Sequence, residues 1–505
     1  MNKRKLLYCA FVLIVLACFT PFVFATKAPE EAAEEAAPAP KTEAPLPALF
    51  GLKDIPEIKN KQQLNTIVET GQVWDKIMPY IEKFTDETGV KVNVERVASP
   101  VVYSKENVEL MSGTGYYDVT YVETAWTVEW ANYLYTLEEL AAKYDPWGVE
   151  GLESDIAHHS PSILICGQSD ENQMVLPFYT YHMGMFIRQD VFDDPTEKKN
   201  FKAKYGYELK AATSAGELSD QGEFFTRKQG QKLKGKTLSH DIFGLAMMSG
   251  AYQINDEISC RLWGKGSDYA TVVRDSSGNL KEFVITRENK MKLRETFNEY
   301  KNDLKWCSPG CLTANFDFVV AQQGEGRALI QVHQFSNCFA WTAGILDENV
   351  EGGKLGIYPT VGEQPYTGAW SVGVAKASKN SEAAYWLVRY LASFEAQQAV
   401  MKEGGQLSTR MDVLEDPMWH TAENEYPFGI LCDYLVDIWP KQAKHVPDYW
   451  YFNTTAGGKV YEMQMNVFHK PMAGETTVDE AVEEVVSKTL ELTSKFDKRV
   501  PIREE

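Results

Sequence analysis

The segment from Tyr366 to Arg410, YTGAWSVGVAKASKNSEAAYWLVRYLASFEAQQAVMKEGGQLSTR, constrains the fold more than any other part of this 505-residue chain. Trp370 to Ala375 is an apolar, β-branched-rich run after Gly368, which predicts a buried strand. Ser378, Asn380 and Ser381 then offer side-chain oxygens for an N-cap, and Glu382 falls in the first turn. Ala383, Leu387, Tyr390, Leu391 and Phe394 follow at helical spacing, so an amphipathic helix is expected. A second, short helix is predicted from Ser393, burying Ala396 and Val400 and stopping at Gly404 and Gly405.

Upstream, LNTIVET, then a stretch carrying Trp74, Ile77, Tyr80, Ile81 and Phe84, then VKVNVERV after Gly89 read as strand, helix and strand. That spacing implies a parallel βαβ unit and an α/β class, with Pro79 expected in the first turns of the helix. Asp118 to Val122 reads as a further buried strand and Trp126 to Leu134 as a helix.

Taken together, these stretches resemble the extracellular solute-binding proteins of bacterial sugar ABC transporters, family 1, the maltose- and trehalose-binding class. In that family a Gly-Gly-Trp strand, a helix pair and a Gly-x-x-Pro-x-Arg loop stand near the ligand. Gly368, Ala369 and Trp370, then Gly405 to Arg410, are the counterparts here, with Ala369 in place of a glycine and Ser408 in place of the proline. The resemblance covers most of residues 60–505 in order, and its specific motifs are four short patches.

The resemblance implies a two-lobed periplasmic-binding-protein fold, type II-like, with the ligand cleft between lobes. Residues 55–178 with 370–420 would form one lobe and 179–369 with 421–505 the other. It also implies ligand-facing positions. Gln72 falls in the loop after the first strand, and Glu123 matches a carboxylate just past the Asp118–Val122 strand, followed by Trp126. A carboxylate there accepts bonds from vicinal hydroxyls, whereas the plainer role for Glu123 is an acid at a helix N-terminus. Tyr179 and Tyr181 lie where the chain first passes between lobes, and Tyr181 is equally well read as a core aromatic. Tyr252 and Gln253 lie in the loop after FGLAMMS, and His333, near Phe335, lies where relatives place an aromatic platform. Trp341 is assigned to the core. Gly368, Trp370 and Arg410 complete the ligand-binding set.

The chain opens with Lys3, Arg4 and Lys5, an apolar run from Leu6 to Phe19, and a small-residue site ending at Ala25. Residues 1–25 therefore read as a signal peptide, too short in its apolar run for a membrane span. Val15, Leu16, Ala17 and Cys18 offer a second reading, a lipoprotein box lipidated on Cys18. Residues 26–50 are dominated by Ala, Pro, Glu, Lys and Thr and are expected to be a disordered tether.

A formal charge of −20 argues against nucleic acid or anionic lipid as the main partner. In an oxidising compartment Cys307 and Cys311, which bracket a Ser-Pro-Gly turn, could form a local disulfide; the alternative is buried thiols. No Cys-x-x-Cys spacing is present, and His158 and His159 read as surface residues, so no metal site is expected. No dinucleotide loop or nucleophile elbow occurs, and no acid/base pair stands out.

The expectation from sequence is thus a monomeric periplasmic protein, not an enzyme, without cofactor. It would capture a sugar, oligosaccharide or polyol by hinge closure and deliver it to the permease subunits of an ABC importer. The alternatives are an exported glycoside hydrolase or a ligand-sensing adaptor on the same fold.

Overall fold

Near-continuous apolar runs such as VLPFYT and MGMFIR can be satisfied only where both faces of a strand are covered, and both strands are buried throughout. The computed structural model describes residues 45–403, 406–442 and 448–505. The leader, Cys18, most of the expected tether and the helix stop at Gly404 and Gly405 lie outside the described residues.

Two sheets organise the chain. Their strands are β1 (Leu64–Glu69), β2 (Val92–Val97), β3 (Val119–Glu123), β4 (Val175–Thr180), β5 (Met183–Arg188), β6 (Phe243–Ala246), β7 (Ala328–Phe335), β8 (Leu355–Tyr358) and β9 (Ala369–Val374). The first sheet has the order β2-β1-β3-β9-β4 and the second β6-β7-β5-β8. β1 pairs parallel with β2 and with β3 around the helix Gln72–Thr88, as a βαβ unit requires. β9 enters antiparallel between β3 and β4.

The chain passes between the sheets at Tyr181 and His182, between β4 and β5, and returns between β8 and β9 through Thr367. The two passages are bonded to each other. Tyr181 N donates to Gly368 O at 3.3 Å, Met183 N to Tyr366 O at 3.1 Å, and the Thr367 hydroxyl meets His182 Nδ1 at 2.8 Å.

Several local expectations are revised. Pro79 sits in the interior of the helix Gln72–Thr88, not in its first turns. The stretch after Glu123 is not one helix but a 3-10 turn at Thr124–Trp126, a helical turn at Thr127–Trp130 and a second 3-10 turn at Ala131–Tyr133. The helix Ser381–Leu391 has the expected amphipathic pattern, but it is buried from Ala383 to Leu391 on every side. Its extra cover comes from Phe50, which stacks on Trp386 with ring centroids 5.9 Å apart and lies under the Arg389 guanidinium at 4.3 Å. Residue 50 therefore belongs to the core, although the tether was expected to reach it. His159 is buried, its Nδ1 2.9 Å from the Thr409 hydroxyl, while His158 is half-buried beside Asp412.

Cys307 and Cys311 are buried free thiols in the structure, without the expected bridge. They fall on successive 3-10 turns, and Cys307 directs its Sγ to the Asp303 carbonyl 3.7 Å away. Among the described residues no helix is long and apolar enough to cross a membrane, and no group of three His, Cys, Asp or Glu is placed to hold a metal ion.

Candidate functional site

In an open α/β sheet the crevice beyond the carboxyl ends of parallel strands is the usual place for a ligand. Here β1 ends at Glu69, β3 at Glu123, β4 next to Tyr179 and β7 at Phe335, and all four residues line one cavity of about 430 Å³. β9 runs the other way, so its first residues reach the same rim. Trp370 lies in register with Glu123 on one side and with Tyr179 on the other, which sets three expected ligand residues in a row.

The half-buried Trp370 indole has one face covered. It lies on Tyr121, centroids 4.1 Å apart, and meets the edge of Trp126 at 5.5 Å. A ring backed in this way presents a fixed apolar wall, the geometry that suits the C–H face of a pyranose.

Glu123 is held from three segments. Its Oε1 accepts from Tyr366 OH at 2.8 Å and from Tyr181 OH, and its Oε2 accepts from Ala125 N at 2.7 Å. The last contact is the N-cap expected of an acid at this position, so Glu123 caps a turn and lines the cavity at once. Burial pushes its carboxyl above the usual range, against the lowering effect of those hydrogen bonds. Glu69 is held similarly, accepting from Tyr179 OH at 2.9 Å and Tyr121 OH at 3.1 Å and from the Ser99 hydroxyl. Its carboxyl is also raised by burial.

Tyr252 and Gln253 line the cavity from the loop after β6. Gln253 Oε1 is occupied by Phe316 N at 2.8 Å, which ties that loop to the helix Phe316–Gly324. Of the expected residues, Glu123, Trp126, Tyr179, Tyr181, Tyr252, Gln253 and Trp370 are in the wall. Gln72 opens the helix after β1, next to the lining residue Gly71; its side chain is outside the described set.

Three expected residues are not brought to the wall. Arg410 is fully buried in an ion-pair chain, with Nη1 2.8 Å from Asp155 Oδ1 and Nη2 2.8 Å from Asp412 Oδ2, while Asp155 also meets Arg389 at 3.3 Å. Its Nε also donates to Asp412 Oδ1 at 3.0 Å and its Nη1 to the Ala392 carbonyl at 3.4 Å, so the guanidinium is engaged within the protein. His333 lies inside β7, 1 % exposed, with neither ring nitrogen bonded and its pKa held well below the usual value by burial. Phe335, at the strand end, reaches the cavity in its place. Gly368 contributes by lacking a side chain: a Cβ there would meet the Tyr181 ring at 2.5 to 2.6 Å.

Sequence reasoning assigned Trp341 to the core, yet it lines the cavity and is 39 % exposed. It also passed over Tyr366, Asp256, Tyr461 and Glu462. The signal for Tyr366 was adjacency to Gly368; Asp256 and the last two carry none, since they project from the helices Ile254–Trp263 and Gly457–Ala473.

Comparison with known proteins gives the same geometry a context. Residues 79–426 match the family described as bacterial extracellular solute-binding protein. No curated protein sequence matches significantly. Among solved structures, maltose-bound MalE3 of T. maritima is similar, with a TM-score of 0.63 and 17 % identity over 85 % of this chain and 98 % of that one. A solute-binding protein of an ABC transporter from Agrobacterium radiobacter K84, in complex with ribitol, gives a TM-score of 0.67 and 16 % identity over 86 % and 100 %. Another from Agrobacterium vitis S4, with bound D-mannitol, gives 0.65 and 17 % over 86 % and 99 %.

Proposed function

This chain belongs to the bacterial extracellular solute-binding protein family, and we propose that it captures a small sugar, oligosaccharide or polyol and hands it to the permease of an ABC importer. The observation that carries this reading is the Trp370 indole, backed by Tyr121 and flanked in register by Glu123 and Tyr179. A stacking face next to carboxylates and phenols already fixed by hydrogen bonds meets both sides of a carbohydrate, its C–H faces and its hydroxyls. Similar proteins solved with maltose, ribitol and D-mannitol support the ligand class.

The protein works as an exported monomer in the periplasm, and the ligand leaves it chemically unchanged. ATP is hydrolysed in another subunit, so the chain needs no cofactor. Closure uses the passages at Tyr181–His182 and around Thr367, with a third after Asp416, as the hinge. Residues 55–178 with 370–420 move against 179–369 with 421–505. A ligand that touches Trp370 from one side and Tyr252 from the other favours the closed state by its differential affinity.

The test is calorimetry of the chain from residue 45 onward against sugars and polyols, with small-angle scattering at saturation. One-to-one binding, an unaltered ligand and a smaller radius of gyration are expected. Binding with unchanged dimensions would remove the hinge; turnover of a glycoside at an enzymatic rate, or silence across the whole panel, would remove the assignment.

A further inference from the structure

The cavity wall is charged on one side of neutrality. Glu69, Glu123, Asp256, Asp317 and Glu462 line it, against one cation, the exposed Lys76; among the described residues no arginine does. Acidic side chains gathered in a cleft can simply be solvated, and Glu69 and Glu123 are largely satisfied by the hydroxyls and backbone that hold them.

Asp256 is different. It stands in the first turn of the helix Ile254–Trp263, is 4 % exposed and lines the cavity, and its buried Oδ1 has no hydrogen-bond partner. No side chain caps that helix, so the carboxylate is not spent on the backbone either. A buried carboxyl without a donor is costly unless something outside the protein supplies one.

Resting on the carbohydrate reading above, we propose that the natural ligand bears a protonated amine, as an amino sugar or amino polyol does, and that this ammonium is seated on Asp256 with Glu123 nearby. An ammonium supplies up to three donors and a charge, so it answers both the under-bonded Asp256 carboxyl and the excess of carboxylates. A phosphorylated sugar would bring further negative charge among five carboxylates and is disfavoured by the same arrangement. Burial, with the charges of Glu123 and Glu257 close by, holds the Asp256 carboxyl well above the usual range. A bound cation is what would restore its ionised form.

The test uses matched probes that differ at one substituent: glucosamine against glucose and glucose 6-phosphate, glucamine against sorbitol, and fully deacetylated chitobiose against cellobiose. At low salt and pH 7, at least one amine is expected to bind tenfold or more tighter than its hydroxyl parent, with no binding of the phosphate. Asp256→Asn, which keeps the shape and removes the charge, should melt no earlier than the parent and should erase that difference. Should Asp256→Asn fail to fold, Glu462→Gln at the same wall is expected to lower the preference about threefold. Hydroxyl parents that bind as tightly as their amines would overturn the inference and leave the carbohydrate reading standing. If no probe of either kind binds, both fall.

Discussion

The indole of Trp370 lies flat on the phenol ring of Tyr121, 4.1 Å between centroids and 4° from parallel. Tyr121 is fully buried and its hydroxyl meets Tyr179 OH at 2.5 Å, so the platform cannot tilt without disturbing β3 and β4. Trp370→Ala is therefore expected to lower the affinity of folded protein for its ligand about fivefold, the loss of roughly 1 kcal/mol of ring contact beyond area. Melting and calorimetry on one preparation decide it. An early melt with intact affinity would show that the ring serves packing alone.

Trp341 gives the complementary case. At 39 % exposure it contributes little to the core, and Trp341→Ala should shift stability by no more than about 0.5 kcal/mol. Affinity should fall several-fold, because an exposed aromatic of the cavity wall is removed. Equal binding by variant and parent would take Trp341 out of the site.

For Arg410 the expected effect is reversed. Removing a guanidinium that joins Asp155 and Asp412 at 2.8 Å each leaves the buried Asp155 with Arg389 alone, at 3.3 Å, and the half-buried Asp412 without its guanidinium. Arg410→Ala is expected to destabilise by about 3–5 kcal/mol while the folded fraction binds normally. A weakened ligand affinity at temperatures where the variant is fully folded would return Arg410 to the ligand set.

Stability should also depend on pH in a defined direction. Burial pushes the Glu257 carboxyl from its usual 4.5 up to about 7, in spite of bonds from Tyr300 OH and Met248 N. Between those values the folded chain holds a proton that the unfolded chain has released, so stability is greatest below 4.5 and falls as pH rises through about 7. The loss from this group alone is on the order of 3 kcal/mol, and Glu257→Gln should flatten that part of the profile. Denaturant titrations at pH 5 and pH 8 measure it, and a parent that is more stable at pH 8 would contradict the assignment.

The sequence made some strands legible because both-face burial leaves a one-dimensional trace: β3 and β9 follow apolar runs visible by inspection, whereas the stretches of β4 and β7 were reached through the family resemblance. The strand-end residues Glu123, Tyr179 and Trp370 were expected from that resemblance, and they fall together in the structure. What lay beyond reach depended on contacts distant in the chain. Arg410 looks like a free cation until Asp155, 255 positions away, is seen to occupy it. The helix Ser381–Leu391 is amphipathic as read, but that Phe50 covers it as well was not visible locally. Asp256 and Glu462 sit on helices whose cavity-facing side no local periodicity marks.

The insertion of β9 between β3 and β4 bears on how the molecule can be made. β9 begins at Ala369, whereas β3 and β4 are complete by Thr180, and both must wait with open edges while the entire second sheet is synthesised. A nascent chain shorter than residue 374 has no closed first sheet and holds the slow, long-range pairing until last. Its exposed strand edges are then a hazard for which a holding chaperone is the expected remedy.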